Sequence, residues 1–160
     1  MSKKRAIDVH FSSASNEWAT PDAIFAKIEA AYGPFTLDPC CTPQTAKAKK
    51  YFTQAEDGLK QDWSQDRVFM NPPYGRAIGK WVQYAYEQAC NGGYVVCLIP
   101  SRTDTKWWHK YCMRAERIVF FKGRIKFVQA GKKAPAPFPS CLIIFRKSVD
   151  KRPIFDTMES

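Results

Sequence analysis

The chain has 160 residues, and its 25 Lys and Arg against 15 Asp and Glu give a formal net charge of +10. This length suits one domain and leaves no room for a second domain of ordinary size. No apolar run approaches the length that spans a bilayer, which argues against a membrane protein. A charge this basic favours a polyanion such as nucleic acid as partner, although a basic protein that is merely soluble stays an alternative.

Cysteine and histidine spacing gives no sign of a metal site. The six cysteines include no Cys-x-x-Cys pair, and the two histidines, His10 and His109, lie far apart and near no cluster with ligand spacing. We therefore expect reduced thiols, no metal and a cytoplasmic protein. The basic start of the chain, at residues 2–5, is followed by no apolar segment, so we expect no signal peptide.

The first predicted element is a flexible arm. Residues 1–15 are small and polar without a period, and they predict a mobile basic arm ahead of a single domain at 16–148. Residues 149–160 carry no usable pattern and are predicted to be a tail.

A helix follows the arm. Thr20 is the predicted N-cap, Pro21 the first helical residue and Asp22 an acidic residue in the first turn, and Gly33-Pro34 ends the helix. Trp18 precedes this helix and is explained at least as well by packing against it as by a role in binding.

Two carboxylates follow short predicted strands. Residues 35–37 read as a strand that ends at Asp38-Pro39, and a carboxylate at such an exit faces the ligand crevice of a βα sheet. Asp57 comes nineteen residues later, near the spacing at which nucleotide-binding folds place a carboxylate on ribose. The Asp57-Gly58 pair and Asp62-Trp63 are explained equally well as plain turns.

The most informative segment is the apolar run 68–70 followed by Asn71-Pro72-Pro73-Tyr74. Proline lacks an N–H and constrains the residue before it, so the chain must turn stiffly here. The turn fixes two acceptors, the Asn71 side-chain carbonyl and the Pro72 backbone carbonyl, next to the Tyr74 ring. This set suits a planar group with an exocyclic amine, such as adenine. A proline-rich strand exit without function is the alternative.

The next elements form a βαβ unit. Residues 76–90 have helical spacing, and residues 94–99 form a continuous apolar run that ends at Pro100 and predicts a central strand. A right-handed crossover would bring Asp38, Asn71 and Pro100 to the same edge of the sheet.

The last third of the chain predicts one helix and an antiparallel strand pair. The helix covers residues 101–115, and its Arg102 and Lys106 lie beside two tryptophans, which suggests a surface for phosphates and bases as readily as simple packing. Strands at 117–121 and 141–145 flank a loop, 132–139. Lys132 and Lys133 of this loop are candidate contacts for a nucleic-acid backbone, although a plain flexible connector is the alternative.

The motifs together resemble a known family. Asn71-Pro72-Pro73-Tyr74 resembles the catalytic motif of amino-methyltransferases that use S-adenosylmethionine. With the segments 16–21, 37–40, 57–59 and 62–63, it resembles the phage-type Dam-like DNA N6-adenine methyltransferases over most of residues 16–146. The resemblance implies an abbreviated three-layer α/β class I (Rossmann-like) fold whose mostly parallel sheet has an antiparallel C-terminal strand. It also implies S-adenosylmethionine as cofactor, double-stranded DNA as substrate and a bacterial host cytoplasm.

The resemblance also implies a role for each site residue. The catalytic residues would be Asn71, Pro72, Pro73 and Tyr74. The cofactor would be bound by Trp18, Thr20, Pro21, Asp38, Asp57 and Asp62. The usual glycine-rich turn after the first strand is absent, so the cradle for the cofactor's methionine end is not evident. Two alternatives stay open, an amino-methyltransferase of RNA or protein glutamine and a catalytically silent DNA-binding module.

Overall fold

The structure is a computed structural model, and it describes residues 17–147 and 152–160. The helices of this part are α1 (Asp22–Tyr32), α2 (Ile78–Cys90) and α3 (Lys106–Lys110). The strands are β1 (Leu37–Asp38), β2 (Lys50–Tyr51), β3 (Arg67–Met70), β4 (Tyr94–Pro100), β5 (Arg117–Lys122), β6 (Lys126–Gln129), β7 (Lys132–Pro135), β8 (Ser140–Arg146) and β9 (Ile154–Glu159).

Seven strands form one sheet in the order β2-β1-β3-β4-β8-β5-β9, and β6 and β7 form a separate hairpin. The first four strands are parallel to one another. β8 lies antiparallel between β4 and β5, and β9 runs parallel to β5 at the outer edge. This order confirms the predicted mostly parallel sheet with an antiparallel strand near the C-terminus.

Helices cover both faces of the sheet. α1 packs on the face that carries Phe69, whose ring centre lies 5.1 Å from that of Phe25. α2 packs where Phe145 lies, 5.8 Å from the ring of Tyr86. The register pairs Phe69 and Phe145 with consecutive residues of β4, and consecutive strand residues point to opposite faces. The predicted three-layer α/β architecture is therefore confirmed.

The predicted apolar face of α2 and the predicted central strand both lie in the core. The buried residues of the α2 face are Ile78, Trp81, Val82, Ala85 and Ala89. In β4 all residues after Tyr94 are buried, as expected of a strand covered on both faces.

The start of α1 differs from the prediction. Thr20 is not the N-cap; Pro21 takes that position with extended dihedral angles of −60° and 142°, and no side chain caps the helix. The Thr20 hydroxyl accepts a hydrogen bond from Asn71 instead, so a tertiary contact replaces the local one. The helix ends at Tyr32, which confirms Gly33-Pro34 as the stop.

The helix predicted over 101–115 is mostly wrong. Only five of its residues, Lys106–Lys110, are α-helical, and a short 3-10 turn follows at Cys112–Arg114. The Thr105 hydroxyl accepts from the Trp108 N–H and so caps a helix that begins late. Side chains of this kind favour caps over helix interiors.

The loop predicted over 132–139 is also partly wrong, because its first four residues form strand β7. The chain reverses at Ala130 and Gly131, with φ values of 50° and 75°. Two consecutive residues with positive φ are typical of tight hairpins. The usual signal for such a turn is Asn-Gly or Asp-Gly, and this sequence has Ala-Gly.

The predicted tail contributes to the sheet. Residues 154–159, assigned to a patternless tail at 149–160, form β9 and pair with the whole of β5. β9 is an edge strand with mostly exposed side chains, so it lacks the alternation of buried and exposed residues that marks a strand in a sequence.

The pairing of β9 can be tested with proline. The Ile154 N–H donates to the carbonyl of Glu116, just before β5, and the Ser160 N–H donates to the carbonyl of Lys122, so by alternation the Asp156 N–H points to β5 and the Thr157 N–H points away. We expect Asp156→Pro to lower the free energy of unfolding by about 1–3 kcal/mol more than Thr157→Pro, as measured by urea denaturation.

Asp156→Ala corrects this comparison for the surface ion pair between Asp156 and Arg117, whose atoms lie 3.1 Å apart. Equal losses in the two proline variants would contradict the pairing.

Candidate active site

The strand exits at Asp38 and Asn71 meet at the carboxyl edge of the parallel strands. β1, β3 and β4 are parallel neighbours in the sheet, in that order, once β2 at the edge is set aside. The Cys40 thiol, just after β1, donates to the Asn71 carbonyl, just after β3, at 3.4 Å. The two strand exits are therefore in direct contact, as the βαβ prediction requires.

The Asn71 side chain is held in one orientation. Its Nδ2 donates to the Trp18 carbonyl at 2.5 Å and to Thr20 Oγ1 at 2.9 Å. A backbone carbonyl can only accept, so the nitrogen of the amide must face Trp18. The other amide atom, Asn71 Oδ1, is buried and has no hydrogen-bond partner in the part of the chain that the structure describes.

An unsatisfied buried acceptor costs roughly 1–3 kcal/mol. Asn71 Oδ1 is therefore a site prepared for a donor that the described chain does not itself supply. An incoming N–H group would remove this cost.

Pro72 adds a second acceptor next to Asn71. The β3 ladder ends at Met70, and the buried Pro72 accepts no hydrogen bond from the described residues at its carbonyl. No helix or strand follows directly after the double proline, so no regular secondary structure satisfies this carbonyl locally. The double proline thus leaves a second carbonyl oxygen available beside the Asn71 amide.

Tyr74 lies in an aromatic cluster and does not present an open ring face. It is 6% exposed, and its hydroxyl donates to the Leu98 carbonyl at 3.2 Å. Burial raises the pKa of this hydroxyl well above its ordinary value. Trp18 stacks on the Tyr74 ring, with ring centres 6.5 Å apart, and Phe138 meets the ring edge-on at 5.4 Å.

The hairpin β6–β7 holds the segment before α1 against the site. The backbone groups of Ala19 and Val128 exchange two hydrogen bonds of 3.1 Å. Phe127 of the same hairpin packs against Trp18 and Tyr74. The sequence analysis missed Phe127 and Phe138 because both lie in a stretch without strand alternation or a turn signal.

Asp38 organises the loop that follows β1, at the position where the sequence lacks a glycine-rich turn. The side chain is 3% exposed, and its two oxygens accept from the backbone N–H groups of Cys40 at 3.4 Å and Lys47 at 3.0 Å. Burial raises the pKa of Asp38 to about 6, although these two hydrogen bonds act in the opposite direction. A carboxylate has further lone pairs, so Asp38 can still accept from a bound ammonium group.

Gly58 brings the Asp57-Gly58 turn against the Asp38-Pro39 corner. A Cβ at position 58 would lie 2.0 Å from the Pro39 carbonyl oxygen, so only glycine allows this approach. Asp57 therefore lies beside the Asp38-Pro39 corner. Its carboxylate accepts from the Leu59 N–H at 3.2 Å and pairs with Lys60 at 3.3 Å.

Asp62 has a turn role in the structure. Its carboxylate is exposed and accepts from the Ser64 N–H at 2.8 Å, which lowers the pKa of Asp62. The sequence analysis weighed turn chemistry and ligand binding equally for Asp57 and Asp62. The structure shows turn hydrogen bonds for both, and their contact with a ligand stays a prediction.

Of the predicted basic residues, Arg102 contacts the aromatic cluster. The Arg102 guanidinium stands over the Phe138 ring at 5.9 Å, and Lys132 and Lys133 are exposed on β7. Lys106 is exposed at the start of α3. The neighbouring Trp108 is buried, so packing rather than base stacking explains it.

The opposite edge of the sheet has an open depression of about 390 Å³, whose lining includes Arg67, Tyr94 and Arg146. Arg67 and Tyr94 begin β3 and β4, so this depression lies at the other end of the strands from Asn71. Within residues 17–147 and 152–160, no three His, Cys, Asp or Glu side chains could together hold a metal ion. The helices of the same residues include none long and apolar enough to cross a membrane.

The model of the family described as DNA N-6-adenine-methyltransferase (Dam) matches residues 10–160, nearly the whole chain. The chain belongs to the Dam family. This is the family that the Asn71-Pro72-Pro73-Tyr74 segment resembles. The strand order places this segment, which follows β3, beside the end of β1.

Two relatives are similar to parts of this Dam-family chain. A DNA N-6-adenine-methyltransferase of Escherichia phage T1 is 28% identical over 106 residues, which cover 66% of this chain and 44% of the phage protein. A putative methyltransferase YfdM of Escherichia coli (strain K12) is 38% identical over 65 residues, 37% of this chain and 71% of that protein. The matched part thus spans less than half of the phage relative.

The raised pKa of Asp38 predicts a pH-dependent stability. The charged carboxylate is disfavoured in the folded state, so the contribution of Asp38 to stability is complete below pH 3.8 and is lost as the pH rises through about 6. Relative to Asp38→Asn, the free energy of unfolding of the wild type should fall by roughly 3 kcal/mol across this window. Urea denaturation of both proteins at several pH values measures the difference.

Only the difference between the two curves matters, because every other titrating group is common to both proteins. If the curves stay parallel from pH 4 to pH 7, Asp38 has an ordinary pKa and the burial argument is wrong.

Proposed function

We propose that this chain is a site-specific methyltransferase that moves a methyl group from S-adenosylmethionine to N6 of adenine in double-stranded DNA, in the cytoplasm of a bacterial host. The observation that carries the proposal is the buried, unpartnered Oδ1 of Asn71, whose orientation is fixed by the hydrogen bonds of Nδ2. Family membership and the phage relative, which is named for adenine-N6 methylation, support the same reaction.

Asn71 and Pro72 would hold the amine of the target base. Asn71 Oδ1 and the Pro72 carbonyl can each accept one of the two amine hydrogens. Two such hydrogen bonds draw the nitrogen lone pair out of conjugation with the ring, and their effect is greatest in a site that excludes water. This arrangement requires no carboxylate base, and none of the predicted catalytic residues is acidic.

Asp38, at the carboxyl edge, fits the ammonium group of the proposed cofactor and would accept a hydrogen bond from it. Asp57 would accept from its ribose hydroxyls and Asp62 from its adenine amine, while Trp18 and Pro21 would lie near its methionine end. When bound, S-adenosylmethionine supplies an electrophilic methyl carbon whose bonding pair stays on sulfur, while the adenine nitrogen forms the new bond and loses one proton to water. The Pro39–Gly58 contact supports the assignment of Asp38 and Asp57 because it places the turn that carries Asp57 against the corner that follows Asp38.

The target adenine must leave the base stack before its amine can reach Asn71. Tyr74 is the proposed stacking partner, and Trp18 occupies the space beside its ring. Stacking on Tyr74 therefore requires the Trp18 indole to turn aside. The hydrogen bonds at Trp18 and Ala19 use the backbone atoms of these two residues and not the indole. They can therefore persist while the indole moves.

Exposed cations near the site would hold the DNA backbone. Lys132 and Lys133 lie on the hairpin whose Phe127 packs against Tyr74, and Arg102 lies over Phe138 of the same cluster. Lys106 is a further candidate at the start of α3. The formal net charge of +10 supports a polyanionic substrate.

The proposed reaction is tested by the transfer of labelled methyl groups from S-adenosylmethionine to unmethylated duplex DNA, to RNA and to bulk protein in parallel. We expect label on N6 of adenine in the duplex alone. Asn71→Ala should lower the rate by at least about 100-fold, since it removes an acceptor used at the reacting nitrogen.

Asn91→Ala, at the exposed end of α2, is the matched control and should leave the rate unchanged. Label in RNA or protein alone would favour the amino-methyltransferase alternatives. Binding of duplex DNA without any transfer would favour the silent DNA-binding module.

The hairpin contact predicts a change in salt dependence. If Lys132 and Lys133 each neutralise one phosphate, their replacement by Ala together should reduce the slope of log K against log [salt] by about 2, irrespective of DNA sequence. Lys147→Ala is the control, because Lys147 is exposed and follows β8 at the opposite edge of the sheet. Fluorescence anisotropy with a labelled duplex measures the slopes, and an unchanged slope in the double variant would remove the hairpin from the DNA interface.

A further inference from the structure

The orientation of the Asn71 amide is a separate requirement of the site. The two ends of an amide have nearly the same shape, so packing alone does not select one orientation. A flipped amide would place Oδ1 against the Trp18 carbonyl and aim the NH2 group at the incoming amine. Two acceptors would then oppose each other on one side and two donors on the other.

We infer that Thr20 is a positioning residue: its hydroxyl holds the Asn71 amide in place, while the Trp18 carbonyl, which can only accept, makes Asn71 present its oxygen to the substrate amine. The inference rests on the proposed function, and it gives Thr20 a role different from the cofactor contact that the family resemblance implies. The Thr20 hydroxyl accepts from Asn71 Nδ2 at 2.9 Å, and the residue is 7% exposed.

The Trp18 carbonyl and the Thr20 hydroxyl together form a clamp on the Asn71 NH2 group, and this clamp is held from two independent directions. On one side, Ala19 pairs with Val128 of the hairpin, which fixes the Trp18 carbonyl beside it. On the other side, the N–H groups of Ile24 and Phe25 donate to the Pro21 carbonyl, which ties the residue after Thr20 to the first turn of α1. Both acceptors of the Asn71 NH2 group are therefore positioned by elements outside the catalytic turn.

The loss of one of the two acceptors should misplace the amide without removing it. A group misplaced by about 1 Å can cost roughly 100-fold in rate. A positioning role predicts a slower chemical step at saturating cofactor, whereas a cofactor contact predicts weaker cofactor binding. Affinity and rate therefore separate the two roles.

The test uses the full chain with Thr20→Val, which keeps the shape but removes the acceptor, and Thr20→Ser, which keeps the hydroxyl. Single-turnover methyl transfer to duplex DNA and equilibrium binding of S-adenosylmethionine are measured for each. Thr20→Val should be about 10- to 100-fold slower with an unchanged dissociation constant for the cofactor, and Thr20→Ser should recover most of the rate. Thermal denaturation by circular dichroism checks that all variants are folded.

A second readout does not depend on turnover. The side-chain amide signal of Asn71, identified in a ¹⁵N NMR spectrum by its loss in Asn71→Ala, should exchange slowly with solvent in the wild type and in Thr20→Ser. It should exchange faster in Thr20→Val. This measurement decides the clamp even if the wild type transfers no methyl group to DNA, so failure of the clamp and failure of the proposed function are distinguishable.

Three results would overturn the inference. The first is weaker cofactor binding in Thr20→Val with an unchanged rate at saturation, which would make Thr20 a cofactor contact. The second is an equal loss of rate in both variants, which would indicate packing. The third is an Asn71 amide whose exchange does not respond to Thr20→Val.

Discussion

The candidate site depends on two hydrogen bonds from one side-chain amide. Asn71 is bonded to residues 53 and 51 positions earlier in the sequence, the Trp18 carbonyl and the Thr20 hydroxyl. These bonds use both hydrogens of the amide and leave its oxygen as a buried acceptor. The double proline after Asn71 prevents the chain from satisfying the next carbonyl through secondary structure. The site is therefore defined by two acceptors, Asn71 Oδ1 and the Pro72 carbonyl, that receive no hydrogen bond from the described residues.

A second constraint is the replacement of a glycine-rich turn by a buried carboxylate. Asp38 accepts two backbone N–H groups of the loop that follows β1, and so closes this loop around itself. Gly58, from a different segment, approaches the Pro39 carbonyl closely. An anionic side chain and a distant glycine thus shape the corner after β1, where nucleotide-binding folds commonly have consecutive glycines.

The sequence predicted the elements whose patterns are carried by buried residues. The α2 face, the central strand β4 and the exits at Asp38 and Asn71 all follow from apolar spacing and from proline, and the structure confirms them. The prediction for Thr20 was wrong because a tertiary contact replaced a local one. Thr20 has the chemistry of a helix cap, and nothing in its neighbourhood of sequence shows that Asn71 would take its hydroxyl.

Other features were missed because their patterns are weak. β9 is an exposed edge strand, and the β6–β7 hairpin turns at Ala130 and Gly131 without the Asn or Asp that normally marks such a turn. Phe127 and Phe138 reach the aromatic cluster only through that hairpin. The motif itself could be found from the sequence, whereas the residues that surround it depend on long-range packing.

The pairing of Ala19 with Val128 has a consequence for the order in which the chain folds. Contacts between such distant positions close large loops, and their entropic cost must be met before they stabilise anything. The clamp on Asn71 thus needs the N-terminal segment and the hairpin to be docked together. A chain with a collapsed core but an undocked hairpin would have the Asn71 turn without the hydrogen bonds that orient its amide, so the orientation of Asn71 would form in the last stage of folding.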